Sequence, residues 1–363
     1  MPLRVLIAGG GTGGHIIPAL AIANELRDRH GVEIRFVGTP RGMESRLVPQ
    51  AGYPLELIEV GQLKNVSIAT RINTLFDLPR GILRCRRLLN EWKPAVVVGV
   101  GGYASGPAMM AALLGSIPTL AFEPNAAPGL ANRIVGKWVG GAAVNFPPAA
   151  SHFRNAQVTG IPVRPEFFAL PPRPVTAAPH LLVFGGSQGA RALNDAMPKI
   201  VVDLLQQIPG LTILHQAGAR SAEAVEAAYA ASGAPRTGWT VSAFLDDMGA
   251  RFGAADLILA RSGASTVAEL AAAGKPSILV PFPAAADDHQ TRNAEVLASA
   301  GAAVLMPQSQ LTDEKLKQQI VALFADRPAL TAMGERARKL AHPDAVERIV
   351  ALVLGLARQK KTG

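Results

Sequence analysis

The chain has a single cysteine, Cys85, among its 363 residues. No intrachain disulfide can form, and no zinc site can be assembled from cysteine pairs. That usage fits a reducing compartment. Aromatic residues make up only 5%, too few for the stacking platforms that hold single-stranded nucleic acid. Charged residues are only 17%, and no Asp-x-Asp occurs anywhere, so one familiar sequence sign of a carboxylate-held metal is missing. The N-terminus does not read as a secretory leader: the short apolar run Leu3–Ala8 is broken by Arg4 and glycines follow at once. Residues 95–122 lack any charge, long enough for a membrane span. Their interior glycines and prolines (Gly99, Gly101, Gly102, Gly106, Pro107, Gly115, Pro118) resolve the stretch into strand, Gly-rich loop, helix, turn and strand.

What is present is hydrophobic bulk and a basic surplus. At 49% hydrophobic, 363 residues suffice for two domains with proper cores. The balance of 36 basic against 27 acidic residues, +9, favours an anionic partner. With nucleic acid disfavoured by the aromatics, anionic lipid or a phosphorylated substrate remains. A strand at Arg4–Ala8, a loop Gly9–His15, a helix from about Pro18 to Arg29 and a strand Val32–Val37 make a βαβ unit. The second half repeats the opening, with strand His180–Phe184, loop Gly185–Arg191 and helix Ala192–Gln206. A later strand–loop–helix–GxP–strand also recurs, from Ala95 to Phe122 and from Asp256 to Phe282. The repeat predicts two doubly wound α/β domains facing each other. Prolines 162, 165, 171, 172 and 174 mark a stiff linker between them. The expected domains are 1–162 and 163–340, with 341–363 a C-terminal helix packing back on the first.

Several segments carry chemistry. A strand entering the Gly9–His15 turn exposes backbone N–H groups at a helix start, which attract phosphate or a sugar hydroxyl. Tight packing alone is the plainer reading of that turn. Dinucleotide binding is disfavoured, because the second strand ends in Phe36-Val-Gly-Thr39 with no acid to hold an adenosine ribose. His15 at the helix start is a candidate general base in its neutral form, or a donor to the loop backbone. Gly185–Arg191 is the matching loop, with Ser187 and the amides after it facing a diphosphate. In Arg261-Ser-Gly-Ala-Ser-Thr-Val-Ala-Glu269, Ser265 or Thr266 is a candidate helix cap. Glu269 can accept two hydrogen bonds from vicinal ribose hydroxyls, or be a helix-start acid favoured by the dipole. Asp287-Asp-His-Gln290 stands at a carboxyl end of the sheet, where ligands bind; no other His or Cys lies close enough in sequence to make it a metal site. Arg71–Lys93 is basic and amphipathic, fit either for an anionic membrane surface or for covering the sheet.

The motifs Gly10-Gly-Thr-Gly-Gly-His15, Gly101-Gly-Tyr-Ala-Ser-Gly106, Glu123-Pro-Asn125, Gly185-Gly-Ser-Gln-Gly-Ala-Arg191 and Arg261–Glu269 occur in this order. Together they resemble glycosyltransferase family 28, the bacterial transferases that move N-acetylglucosamine onto a lipid-linked sugar of the cell wall. The resemblance implies a GT-B fold, two Rossmann-like domains facing across a cleft, with no metal or other cofactor. It implies inverting transfer from UDP-N-acetylglucosamine (UDP-GlcNAc) to O4 of the undecaprenyl-linked acceptor lipid I, giving lipid II. The place implied is the cytoplasmic face of the inner membrane, held peripherally through Arg71–Lys93, with no nucleic-acid partner. By matching motifs, the donor site takes in Thr12, Gly13, Gly14, Asn125, Arg164, Ser187, Leu245, Ala264, Ser265, Thr266, Val267, Ala268, Glu269 and Gln290. Glu269 meets the ribose, Ser187 the diphosphate, and the Leu245 backbone the uracil. His15 and Tyr103 face the lipid acceptor. Family members often carry Glu-Gln-Asn where this chain has Glu123-Pro-Asn125, and the segment Pro283–Asp288 also varies among them.

Overall fold

The computed structural model describes residues 2–59, 68–171, 173–174 and 177–362, with the side chains of 68–76 and 360–362 left aside. The chain divides into two compact units, Met1–Pro162 with Asp344–Gly363, and Val163–Pro343.

Among the described residues the first unit holds seven strands: β1 (Arg4–Ala8), β2 (Glu33–Gly38), β3 (Leu55–Leu57), β4 (Val96–Gly99), β5 (Thr119–Glu123), β6 (Gly141–Val144) and β7 (Ala156–Val158). Their order is β3-β2-β1-β4-β5-β6-β7, every neighbouring pair parallel. Both faces are covered, so β1 and β4 read as unbroken apolar runs rather than alternating ones. Strand order reverses between β1 and β4, which makes the carboxyl ends of these two strands the natural ligand position.

Helix α1 (Gly13–His30) starts five residues earlier than the sequence suggests. The glycine run is a turn only as far as Gly11; Thr12 is extended and Gly13 already helical. Pro18 lies inside the helix and forfeits only the bond to the Gly14 carbonyl. Left-handed Gly31 ends it, its N–H on the Arg27 carbonyl and the Val32 N–H on Leu26. Next come α2 (Glu44–Gln50), α3 (Ile68–Trp92) and α4 (Ser105–Leu114). The uncharged stretch is therefore β4, α4 and β5, and no helix among the described residues is long and apolar enough to cross a membrane.

Among its described side chains, the apolar side of α3 is mostly core. Cys85, Leu89 and Trp92 are buried, and Ile82 and Leu88 pack against them. Burial pushes the Cys85 thiol up to about 12, as expected of an unreactive core cysteine. Arg80, Arg84, Arg86 and Arg87 are exposed, as is Leu83. Of the basic amphipathic stretch, Arg71, Ile72, Leu75 and Phe76 lie outside the described side chains. The helix Ala345–Thr362 packs on α1 and beside β4, β5 and β6. It buries Ile349, Val350 and Val353, each worth about 1.5–3 kcal/mol, which ties the chain's last segment to its first domain.

The second unit holds β8 (His180–Phe184), β9 (Thr212–Gln216), β10 (Trp239–Ser242), β11 (Leu257–Ala260), β12 (Ser277–Leu279) and β13 (Ala303–Leu305). Its order, β10-β9-β8-β11-β12-β13, repeats that of the first six strands and is also all parallel. Here the reversal lies between β8 and β11. Strand β12 stops at Leu279, short of the expected Phe282, because Pro281 has no N–H to continue the ladder. Leu181, Val183, Leu193, Met197, Leu257 and Leu259 centre the core on the two strands that carry the site loops.

Candidate active site

In the first unit the chain leaves β1 into three glycines whose amides are all taken. Gly9 N–H donates to the Val37 carbonyl at 3.0 Å and Gly10 N–H to the Gly101 carbonyl at 3.1 Å. Gly11 N–H donates to Glu44 Oε2 at 2.6 Å. The other oxygen of Glu44 accepts from the Thr39 N–H and hydroxyl, both at 2.9 Å. Glu44 is buried, in space left by Gly10, Gly38 and Gly42, where any Cβ would overlap its side chain. Sequence reasoning missed this residue; its signal is a lone acid just past the β2 tip, preceded by Gly38 and Gly42. The amides of Thr12, Gly13 and Gly14, at the start of α1, meet no acceptor among the described residues.

His15 sits in the first turn of α1. Its Nδ1 is 3.1 Å from the Thr12 hydroxyl, and its ring lies against the backbone of Gly101, where a Cβ would come within 2.9 Å of Cδ2. Tyr103, two residues on in the same turn, is exposed. The structure thus joins the first glycine turn, His15 and the Gly101–Tyr103 turn. Gly102 packs so closely on the Gly10 carbonyl that no side chain fits there.

At the end of β5, Glu123 is buried and accepts from the Asn125 N–H (3.0 Å), the Asn125 side-chain amide (3.2 Å), the Gly129 N–H (3.1 Å) and the Asn132 side chain (2.9 Å). Burial raises the Glu123 carboxyl, and these donors oppose the shift. The Asn145 side chain holds the Pro124 carbonyl at 3.0 Å. The amide nitrogen of Asn125 is therefore engaged by the protein itself.

In the second unit the loop Gly185–Ala190 leads into the helix Arg191–Gln207. Ser187 is exposed on it, and the amides of Gly186, Ser187 and Gln188 meet no acceptor among the described residues. The loop after β11 opens the helix Ala264–Ala273. Neither Ser265 nor Thr266 caps it, contrary to expectation. The helix already begins at Ala264, so both lie inside its first turn, and extended Gly263 takes the cap position with no side chain to offer. The amides of Ala264, Ser265 and Thr266 consequently face outward without an acceptor among the described residues. Val267 is buried and Ala268 partly so.

Glu269, one turn further on, is partly exposed and makes no hydrogen bond with a described residue. Desolvation raises its carboxyl to about 7; Arg164 draws it down and Glu166 pushes it up. Arg164 pairs with Glu166 at 3.0 Å and stacks over Phe167. Arg164 and Glu269, far apart in sequence, thus share one electrostatic environment. Buried Arg261 fixes the neighbouring strand end, donating to the Val280 (3.0 Å) and Pro281 (2.9 Å) carbonyls and to Gln308 (2.7 Å). The Ser262 hydroxyl donates to the Gln290 carbonyl at 2.8 Å, and the Gln290 side-chain oxygen accepts from the Phe282 N–H at 2.9 Å. Gln290 is thereby held beside the start of the helix Ala264–Ala273. Leu245 is buried in the loop after β10, next to exposed Phe244. Asp287 and Asp288 are both left-handed at the entry of the helix His289–Ser299. Among the described residues no three His, Cys, Asp or Glu side chains gather as a metal site needs.

Two family models match the chain: the glycosyltransferase family 28 N-terminal domain over residues 5–144 and its C-terminal domain over 180–349. The chain is 44% identical over 363 residues to the UDP-N-acetylglucosamine--N-acetylmuramyl-(pentapeptide) pyrophosphoryl-undecaprenol N-acetylglucosamine transferase of Anaeromyxobacter sp. (strain Fw109-5), covering 99% of this chain and 94% of that one. The crystal structure of Acinetobacter baumannii MurG matches with a TM-score of 0.83 at 35% identity, covering 98% of this chain and all of that one. The structure of S. aureus MnaA with UDP matches at 14% identity with a TM-score of 0.66, covering 96% of this chain and 95% of that one, a likeness of fold. The two parallel sheets are those of the GT-B fold.

Proposed function

The chain belongs to glycosyltransferase family 28, and on that premise we propose that it transfers N-acetylglucosamine from UDP-GlcNAc to O4 of lipid I, forming lipid II for peptidoglycan. The observation that carries this is identity of 44% maintained over 99% of the chain to a transferase of that name. In this reading the first unit is the acceptor and membrane-association domain and the second is the donor domain.

The donor reading has a physical basis in the second unit. The Gly186–Gln188 amides and the start of the helix Ala264–Ala273 offer unpaired N–H groups and a helix dipole to the diphosphate. Ser187 adds a hydroxyl. Glu269 takes the ribose hydroxyls, Arg164 lies beside it, the Leu245 backbone meets uracil, and Gln290 the sugar. Thr12, Gly13 and Gly14 present the α1 amides to the donor from the first unit, with Asn125 nearby in the family pattern.

Transfer proceeds by attack of the acceptor O4 on the anomeric carbon, from the side opposite the diphosphate. The C–O bond to UDP breaks, and fixed amides and dipoles take up the charge that develops on the leaving oxygen. His15 receives the O4 proton and Tyr103 faces the acceptor. His15 can act as a base through Nε2 only when Nδ1 carries the proton and donates to the Thr12 hydroxyl. Attachment to the cytoplasmic face of the inner membrane is electrostatic in the described part of Arg71–Lys93. Arg80, Arg84, Arg86 and Arg87 are exposed there, whereas most of the apolar side is core.

The test is transfer of labelled N-acetylglucosamine from UDP-GlcNAc to a lipid I analogue. UDP release should require the acceptor, and UDP-glucose should be a poor donor. Acceptor-independent conversion of the sugar nucleotide would instead mark an epimerase. Co-flotation with vesicles rich in anionic lipid, lost when Arg84, Arg86 and Arg87 are changed to Glu, tests the membrane reading.

A further inference from the structure

Two consecutive residues at the carboxyl end of β9, His215 and Gln216, are almost fully buried although both are polar. Strand alternation sends their side chains to opposite faces of the sheet. Gln216 Nε2 donates to the Gly186 carbonyl at 3.0 Å. On the other face, His215 Nδ1 is 3.1 Å from the Tyr229 hydroxyl and Nε2 is 3.1 Å from Asn194 Oδ1. Asn194 Nδ2 donates to the Ala217 carbonyl at 2.9 Å. That contact orients the amide, so the atom facing His215 is an oxygen. Nε2 must then carry the proton and donate, and Nδ1 accepts from Tyr229. Burial lowers the His215 pKa to about 3, which keeps the ring neutral in this single arrangement.

The chain of bonds ends on the Ala217 carbonyl, just past β9, and the donor-side loop packs against that carbonyl. The Ala217 carbonyl is the group against which Gly189 packs with no room for a Cβ, and Gly218 packs likewise on the Gln188 carbonyl. We propose that His215 and Gln216 are positioning residues for the donor diphosphate. They grip the loop Gly185–Ala190 from the two faces of β9 and aim its free amides before the nucleotide arrives. A loop fixed in advance need not be ordered on binding, so the grip appears as donor affinity. The inference rests on the donor reading given above.

The test compares wild type with His215→Leu, His215→Gln and Gln216→Ala. It measures UDP-GlcNAc affinity by calorimetry and KM for donor and acceptor separately. His215→Leu and Gln216→Ala should each raise donor Kd and KM roughly tenfold, as loss of one buried hydrogen bond implies, with acceptor KM unchanged. His215→Gln keeps one donor and one acceptor and should stay within about twofold of wild type. A residue that only stabilises the fold would lower Tm and leave the ratio of the two KM values alone. Folded variants with wild-type donor affinity overturn the proposal. Should His215→Leu not fold, Gln216→Ala decides it. Wild-type protein that binds no UDP-GlcNAc overturns the donor reading itself, a result distinct from wild-type binding that the variants leave unmoved.

Discussion

The glycine turns after β1 and after β8 open the same βα unit, yet they are held by opposite means. The first is anchored by a buried carboxylate, Glu44, which takes the Gly11 amide directly. The second is anchored by neutral groups, Gln216 and the Asn194–His215–Tyr229 chain. The first turn has spent the amides of Gly9, Gly10 and Gly11 on its own fold; the second keeps those of Gly186, Ser187 and Gln188. An anion is therefore treated differently by the two. A unit charge about 5 Å from the Glu44 carboxylate would be repelled by about 3 kcal/mol at an effective dielectric of about 20. Among the described residues, no carboxylate accepts from the amides of the second loop. Two turns alike in sequence differ in charge, and in the proposed reading that difference favours the second for the diphosphate.

The largest test of that comparison places a methyl group in each turn. Gly189 and Gly102 both have positive φ and both press on a carbonyl. Gly189→Ala should weaken UDP-GlcNAc binding by roughly 100-fold, the scale of backbone strain at such sites. Gly102→Ala should leave donor affinity within about twofold and lower turnover, because it displaces the Gly10 turn beside His15. Titration calorimetry on both variants decides; equal losses of donor affinity would erase the distinction. Next in size, His15→Ala should reduce kcat about 100-fold with donor Kd little changed. Near-normal single-turnover rates would remove His15 as the base.

The sheets and the internal repeat were legible because β1, β4, β8 and β11 are largely apolar runs and each leads to a glycine within three residues. Family and fold followed from the motif order. The helix starts were less legible. A run of glycines reads as loop, yet Gly13 and Gly14 are helical; Ser265 and Thr266 read as caps, yet the helix had begun before them. The anchoring contacts were the least legible. Glu44 meets Gly11 across 33 residues, and the lone acid after Gly38 and Gly42 does not name that partner. His215 and Gln216 defeat the alternation rule, since a sheet covered on both faces buries both.

A smaller effect tests whether Glu269 works as a carboxylate in the second unit. Its folded pKa of about 7 lies above its ordinary 4.5. Ribose hydroxyls donate, so the charged form binds. Affinity for UDP-GlcNAc should rise roughly tenfold from pH 6 to pH 8 and be flat in Glu269→Gln. The sugar nucleotide is the right probe, because a terminal phosphate titrates near pH 6 itself. Stability moves the other way. Between 4.5 and 7 the folded state holds the proton that the unfolded chain releases, so wild type loses stability as pH rises through that window. Thermal melts should show Glu269→Gln gaining on wild type between pH 5 and pH 8.

The smallest expected effect is the most pointed. Glu44→Gln removes the charge beneath the first turn and keeps the shape. Its side-chain oxygen can still accept from Thr39, but the new NH₂ then faces the Gly11 N–H and one bond is lost. The fold should weaken by about 1–3 kcal/mol, seen as a lower Tm. Donor affinity should change by less than about twofold, because in the proposed reading the Gly186–Gln188 amides, not Gly11, hold the diphosphate. If UDP-GlcNAc bound tenfold more tightly instead, Glu44 would have been repelling it, and the diphosphate would belong to the first turn after all. That result would also require loosening at Gly11 to improve an anion site, which a more mobile set of amides opposes. The neutral outcome is thus favoured both by where the charge lies and by what holds the turn.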